Sequence, residues 1–129
     1  MKYLLDTCVF LWLIFNETHN IPGKTLGLIR DNKNDIFLSS ASCWEIAIKA
    51  KMGKIELAKD PADLIPEMVS QMNLKILPVE MKQALGVYRL PLHHKDPFDR
   101  LLVSQAFYEQ LTLLTPDQLL AKYEISVIW

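Results

Sequence analysis

The 129 residues carry 50% hydrophobic side chains and 14 Lys plus Arg against 15 Asp plus Glu, a net charge of −1. That composition supports one globular unit with a sizeable core, leaves no room for a second, and excludes global attraction to polyanions while leaving a local basic rim open. The two cysteines, Cys8 and Cys43, exclude a disulfide scaffold and lack metal-finger spacing, which favours a reducing compartment.

In chain order, Lys2 to Leu5 reads as a short buried strand ending at Asp6, followed by a helical stretch from Val9 to Phe15 and a polar turn from Asn16 to Asn20. The apolar run Tyr3 to Phe15 carries an acid, lacks a strong basic leader and a small-residue cleavage site, and is too short for a membrane span. Cytoplasmic residence with no membrane contact is therefore expected. Pro22 to Asp31 predicts a second helix, and Ile36 to Ser39 a second strand. Ala41 to Met52 predicts a helix stopped by Gly53, the residue best suited to a left-handed terminus. A helix over Pro61 to Met72 then leads into a strand over Leu74 to Leu77, closed by Pro78. Val79 to Val87 and Pro97 to Gln110 are helical, the latter with proline at its first position. Leu111 to Leu114 is a strand, Pro116 to Lys122 a short helix, and Ser126 to Trp129 the last strand. Short apolar strands without a polar face, alternating with helices, predict a parallel sheet covered on both sides, with ligands gathered outside the carboxyl ends of the strands.

Four carboxylates lie where strands end or helices begin: Asp6, Glu45, Asp99 and Asp117. Each has a local explanation to weigh. Ser42 and Glu45 have capping-box spacing, and Glu45 with Lys49 forms an i,i+4 ion pair. Asp96-Pro97-Phe98-Asp99 fits a helix N-cap, and Thr115-Pro116-Asp117 repeats the pattern. Asp6 is harder to explain locally, because a carboxylate between Tyr3-Leu4-Leu5 and Val9-Phe10-Leu11-Trp12 is costly unless it is paired or bound to a cation. Acids brought together repel one another, and a hard divalent cation with oxygen ligands is the simplest way to hold four in one pocket.

Other features are less specific. His93 and His94 are adjacent, so their rings point apart, and no third nitrogen or sulfur ligand has the spacing of a zinc site. Gly23-Lys24-Thr25 lacks the first glycine of a phosphate-binding loop, since position 18 is Thr18. Trp12, Trp44 and Trp129 read as packing residues in preference to base-stacking platforms. The helix holding Phe10, Leu11, Leu13, Ile14 and Phe15 is apolar nearly all round, which predicts that part of it meets another chain. Lys49, Lys51 and Lys54, together with His93, His94, Lys95 and Arg100, form two basic clusters flanking the acids.

The segments Leu4-Leu5-Asp6-Thr7, Ser42 through Lys49, His94 through Leu102, and Leu114-Thr115-Pro116-Asp117 together resemble PIN-domain ribonucleases of the VapC toxin type, across essentially the whole chain. The resemblance implies a PIN-like three-layer α/β/α domain over residues 1–129, with a central five-stranded parallel sheet. It implies that Asp6, Glu45, Asp99 and Asp117 hold one or two Mg2+ or Mn2+ ions for hydrolysis of RNA, leaving a 5′-phosphate and a 3′-hydroxyl. Asp96 is then a cap or an auxiliary acid. Thr7 and Thr115 are hydroxyls able to orient water or phosphate, and Lys49, His94, Lys95 and Arg100 are candidate RNA contacts. The implied partners are a cognate antitoxin and a second copy of the chain. Two rival readings are a catalytically silent RNA-binding or scaffold member of this fold, and a magnesium-dependent phosphoryl-accepting regulatory domain. The latter wants paired acids after its first strand, where this chain has Asp6-Thr7-Cys8.

Overall fold

The computed structural model describes all of residues 1–129. Five parallel strands, β1 (Lys2–Leu5), β2 (Asp35–Ser39), β3 (Lys75–Leu77), β4 (Thr112–Leu114) and β5 (Val127–Ile128), form one sheet in the order β3-β2-β1-β4-β5. Six helices connect them: α1 (Thr7–Ile14), α2 (Gly23–Arg30), α3 (Ser40–Lys51), α4 (Pro61–Gln71), α5 (Met81–Gly86) and α6 (Pro97–Glu109). Alternation along the strands explains why they carry no polar face. Tyr3, Leu5, Ile36, Leu38 and Leu114 pack with Val9, Phe10, Ile29, Ile46 and Ile65 from α1 to α4. Leu4 and Leu113 pack on the opposite side with Leu102, Val103 and Ala106 of α6. No helix is long and apolar enough to cross a membrane.

Strand order reverses between β1 and β4, where β1 sends its connection one way across the sheet and β4 the other. Leu5 is in register with Leu114, and the Asp6 amide donates to the Leu114 carbonyl at 3.0 Å, so the segments following both strands leave the same edge side by side. That crevice is where an open α/β sheet gathers ligands. The order also differs from the 2-1-3-4-5 arrangement of flavodoxin-like regulatory domains, which removes the phosphoryl-accepting alternative.

Several local expectations are corrected. The helix expected over Pro116 to Lys122 shrinks to one 3-10 turn, Leu120–Lys122. The Thr115 hydroxyl takes the Asp117 amide (3.0 Å) and the Asp117 carboxylate takes that of Leu119 (2.9 Å), so side chains hold this segment in turns. α3 begins earlier than expected, capped by Ser39, whose hydroxyl accepts from the Ala41 amide. Ser42 and Glu45 consequently lie inside the helix and form no capping box. The box forms instead between Glu80 and Gln83, starting α5 at Met81. Gly53, at φ +74°, follows α3 as expected. Trp12 and Trp129 pack together with ring centroids 5.8 Å apart, whereas Trp44, expected to pack in the core or at an interface, lies outside the core at 63% exposure and meets Phe98 edge-on. In α1, Val9 and Phe10 are buried, and Leu11 to Ile14 pack half-covered against the same core, which leaves less apolar surface for another chain than the sequence suggests.

Candidate active site

All four acids meet at the carboxyl edge of the sheet, delivered by four separate elements. Asp6 follows β1 at the N-cap position of α1, yet its side chain makes no capping hydrogen bond. Its carboxylate accepts from the Thr115 hydroxyl at 2.6 Å and is only 5% exposed. Burial raises its pKa above the usual carboxylate range, the Thr115 hydrogen bond opposes this, and the charges of Glu45 and Asp117 add to the rise. Glu45 sits in the second turn of α3, 5% exposed. Its Oε2 receives the Lys49 ammonium at 2.7 Å, while its Oε1 is buried without a hydrogen-bond partner.

Asp99 lies in the first turn of α6. Its carboxyl is pushed up to about 7, first by burial and then by the charges of Asp6 and Asp96, with His94 opposing and Glu45 adding. Asp117 is placed by the turn after β4, its Oδ1 accepting from the Leu119 amide and its Oδ2 lying 2.8 Å from His94 Nε2. The same imidazole nitrogen is 3.3 Å from Asp99 Oδ2.

The neighbouring candidates separate into distinct uses. Asp96 is the N-cap of α6, accepting from the amides of Phe98 (2.8 Å) and Asp99 (3.0 Å). Thr115 bridges two acids by donating to Asp6 and accepting from the Asp117 amide, whereas Thr7 donates to Ser42 Oγ at 2.8 Å and ties α1 to α3. The Lys49 ammonium feels Glu45 first and then Asp96 and Asp99, so it stands at the pocket rim with a raised pKa. Lys95, which immediately precedes the α6 cap Asp96 in sequence, is exposed. Arg100 is a correction: it is 8% exposed, and its guanidinium donates to the carbonyls of Val87, Leu90, Pro91 and His94 and to the Tyr123 hydroxyl, leaving no open face for a phosphate. His93 turns away from His94 and packs edge-on against Tyr123, as expected for adjacent histidines.

Cys8, the second residue of α1, lies close to the acids, which the sequence reading did not anticipate. Burial and then the Asp6 charge push its thiol pKa well up, and the side chain packs against the hydrophobic core. The only sequence signal was its place two residues after Asp6. The largest cleft, about 1030 Å³ between α3 and α4 and lined by residues such as Ala47, Ile65 and Val69, contains none of the acids. Chemistry and cavity size point to different places, and the converging titratable groups decide for the acidic edge.

The donor set fits a hard divalent cation. Carboxylate oxygens dominate it, two of the acids are held in raised-pKa states that a positive charge would relieve, and Glu45 Oε1 is a buried acceptor with no partner in the protein. A model of the PIN domain family matches residues 3–125. The chain belongs to the PIN domain family. Over 58 residues this PIN domain is 33% identical to Ribonuclease VapC16 of Mycobacterium tuberculosis, a stretch covering 45% of the chain and 41% of the length of that relative. The fold is that of VapBC2 from Rickettsia felis, solved bound to a DNA fragment from their promoter, with TM-score 0.74 at 20% identity, covering 100% of this chain and 99% of that one. DNA-bound VapBC from Salmonella typhimurium matches with TM-score 0.67 at 17% identity, covering 99% and 97% of the two chains. FitAcB from Neisseria gonorrhoeae gives 0.60 at 16% identity, covering 100% and 97%.

Proposed function

We propose that this PIN domain is a divalent-cation-dependent endoribonuclease acting as the toxin of a toxin–antitoxin pair in the cytoplasm. The observation that carries the reading is the convergence of Asp6, Glu45, Asp99 and Asp117 on one sheet edge, with a buried, unpartnered Glu45 Oε1 among them. The ribonuclease name of the relative from Mycobacterium tuberculosis and the resemblance of the four motifs to VapC-type toxins support it. Retention of all four acids speaks against a catalytically silent member of the fold.

The four acids would hold Mg2+ or Mn2+, as one ion or two. When bound, such a cation supplies charge neutralisation at a phosphodiester and a lowered pKa for the attacking water. The protein's own contribution is positional. Thr115 fixes Asp6 through its hydroxyl and the Asp117 backbone through its lone pair, so two of the acids share one anchor. Asp96 starts α6 at the turn that aims Asp99 into the crevice. Lys49 and Lys95 provide positive charge at the rim, where a polyanion approaching an acidic centre needs it. The partners that go with this reading are RNA as substrate, a cognate antitoxin, and a second copy of the chain.

The test is gel-resolved cleavage of total cellular RNA by the purified, antitoxin-free protein in Mg2+ or Mn2+, with EDTA and Asp6→Asn controls. Discrete cuts lost in both controls are expected. Absence of cuts, or cuts that persist in Asp6→Asn, would overturn the nuclease reading and bring forward binding without cleavage.

A further inference from the structure

His94 is tethered at every polar atom it has. Its amide donates to the Tyr123 hydroxyl at 3.0 Å, and its carbonyl accepts from Arg100 at 3.4 Å. On the ring, the Asp96 amide donates to Nδ1 at 3.0 Å, while Nε2 reaches Asp117 Oδ2 at 2.8 Å and Asp99 Oδ2 at 3.3 Å. Arg100 also binds the carbonyls of Val87, Leu90 and Pro91, so the whole approach to His94 is pinned from beneath by one buried guanidinium.

The Nδ1 contact decides what the ring offers. A backbone amide is only a donor, so the nitrogen it meets presents a lone pair and carries no hydrogen. The proton of the neutral imidazole therefore resides on Nε2, the atom aimed at the two aspartates. His94, Asp99 and Asp117 bring their ligand atoms within 4.8 Å of one another, a spacing that by distance alone would suit a metal site with a nitrogen ligand. An Nε2 that bears hydrogen cannot be that ligand, and the partner of a ligating imidazole is an acceptor on its other nitrogen, where this ring meets a donor.

We propose that His94 is a positioning residue, locked by the Asp96 amide into the tautomer that donates from Nε2 to Asp117 and Asp99, and that it orients these acids for the cation without binding it. The assignment rests on the cation-dependent reading of the site. Asp96 then serves two functions from one turn: its carboxylate starts α6 and its amide sets the tautomer of His94. Each carboxylate oxygen has more than one lone pair, so a hydrogen bond from Nε2 leaves acceptor capacity for a cation on Asp99 and Asp117.

The first test is long-range 1H–15N correlation NMR on histidine-labelled protein, metal-free and with saturating Mg2+, with His94 assigned by its loss in His94→Gln. An Nε2–H ring with unprotonated Nδ1, retained when Mg2+ is added, is the expected result. The opposite tautomer, or loss of the Nε2 proton on Mg2+ binding, would overturn the proposal. The second is Mg2+ titration by calorimetry. His94→Leu removes the donor and should weaken Mg2+ binding by about 10- to 100-fold, while His94→Gln, which keeps an N–H donor, should stay within roughly threefold of the parent. Undiminished binding by a folded His94→Leu, or equal losses in both variants, would refute positioning by hydrogen bonding. Should His94→Leu fail to fold, the NMR result and the His94→Gln titration still decide. Failure of the parent chain to bind Mg2+ with the tautomer as assigned would sink the cation-dependent reading and leave the hydrogen-bond assignment standing.

Discussion

Three helices of this protein begin at an aspartate, and two of these, Asp96 and Asp6, do opposite things. Asp96 caps α6 by accepting from two amides of its first turn. Asp6 occupies the same position ahead of α1, with extended backbone angles suited to a cap, yet it caps nothing and turns its carboxylate to Thr115. What differs is the surroundings. Asp6 emerges from a central strand between β2 and β4, where the hydroxyl of Thr115 is at hand and the other acids crowd in, whereas Asp96 enters from a loop at the pocket rim. A residue that satisfies its own helix lowers the free energy of the fold. One that leaves its helix uncapped and sits buried among like charges costs stability, and that is the profile of a functional group.

Mutations should separate the pair sharply. Asp6→Asn should abolish metal-dependent RNA cleavage, a loss on the order of 10³-fold or more if several kcal/mol of transition-state stabilisation depend on the held cation. The same change relieves repulsion and desolvation in the metal-free protein, so its Tm by calorimetry should hold or rise; a marked fall would show that Asp6 is structural after all. Arg100→Met should be the most destabilising single change near the site, by about 3 kcal/mol, because it leaves several buried carbonyls without their shared donor. Denaturant unfolding would reveal it, and a change under about 1 kcal/mol would show that the loop before Asp96 does not depend on this residue.

Asp96→Ala should behave as the mirror of Asp6→Asn, losing about 1 kcal/mol of stability, which is roughly 4 °C in Tm for a chain of this size, with a smaller loss of activity. Equal losses of activity in the two variants would collapse the distinction between cap and site. The gentlest probe is pH. Asp99 titrates at about 7 in the folded protein against 3.8 as a free side chain, so the folded state holds its proton more tightly than the unfolded chain. The stability this gives is present in full below about 4 and is lost as pH rises through about 7. Metal-free Tm should therefore decline by a few degrees between pH 5 and pH 8, and saturating Mg2+ should reverse the decline at pH 8. A flat metal-free profile would mean that burial and the neighbouring charges do not raise the Asp99 carboxyl in the folded protein.

Much of the architecture could be read along the chain because its causes are local. Strands such as Tyr3-Leu4-Leu5 and Leu113-Leu114 are apolar at successive positions, which only a sheet covered on both faces accommodates. Pro61 and Pro97 mark helix starts, and Gly53 a helix end, through backbone restrictions that neighbours do not alter. The errors arose where two local explanations competed. Ser42 and Glu45 have the spacing of a capping box, but Ser39 caps α3 first, and Trp44 looks like core although its face of α3 points outward. The Pro116 segment looked helical because it cannot be seen from sequence that the side chains of Thr115 and Asp117 take up the amides of that turn.

The sequence by itself therefore determined the alternating α/β plan and marked Asp6 as a charge with no local explanation, since hydrophobic pattern, proline, glycine and a charge in an apolar run act within a few residues. Tertiary structure alone decided the rest. Thr7 and Thr115 each neighbour an acid in sequence, but one bonds Ser42 across 35 positions and the other Asp6 across 109. Arg100 and His94 are both basic residues near Asp99, but one is consumed by loop carbonyls and the other meets Asp117. These outcomes depend on strand register and on where helices cross the sheet edge. Hydrogen bonds reach only about 3 Å, so a side chain's use is settled by which distant segment the fold brings within that distance.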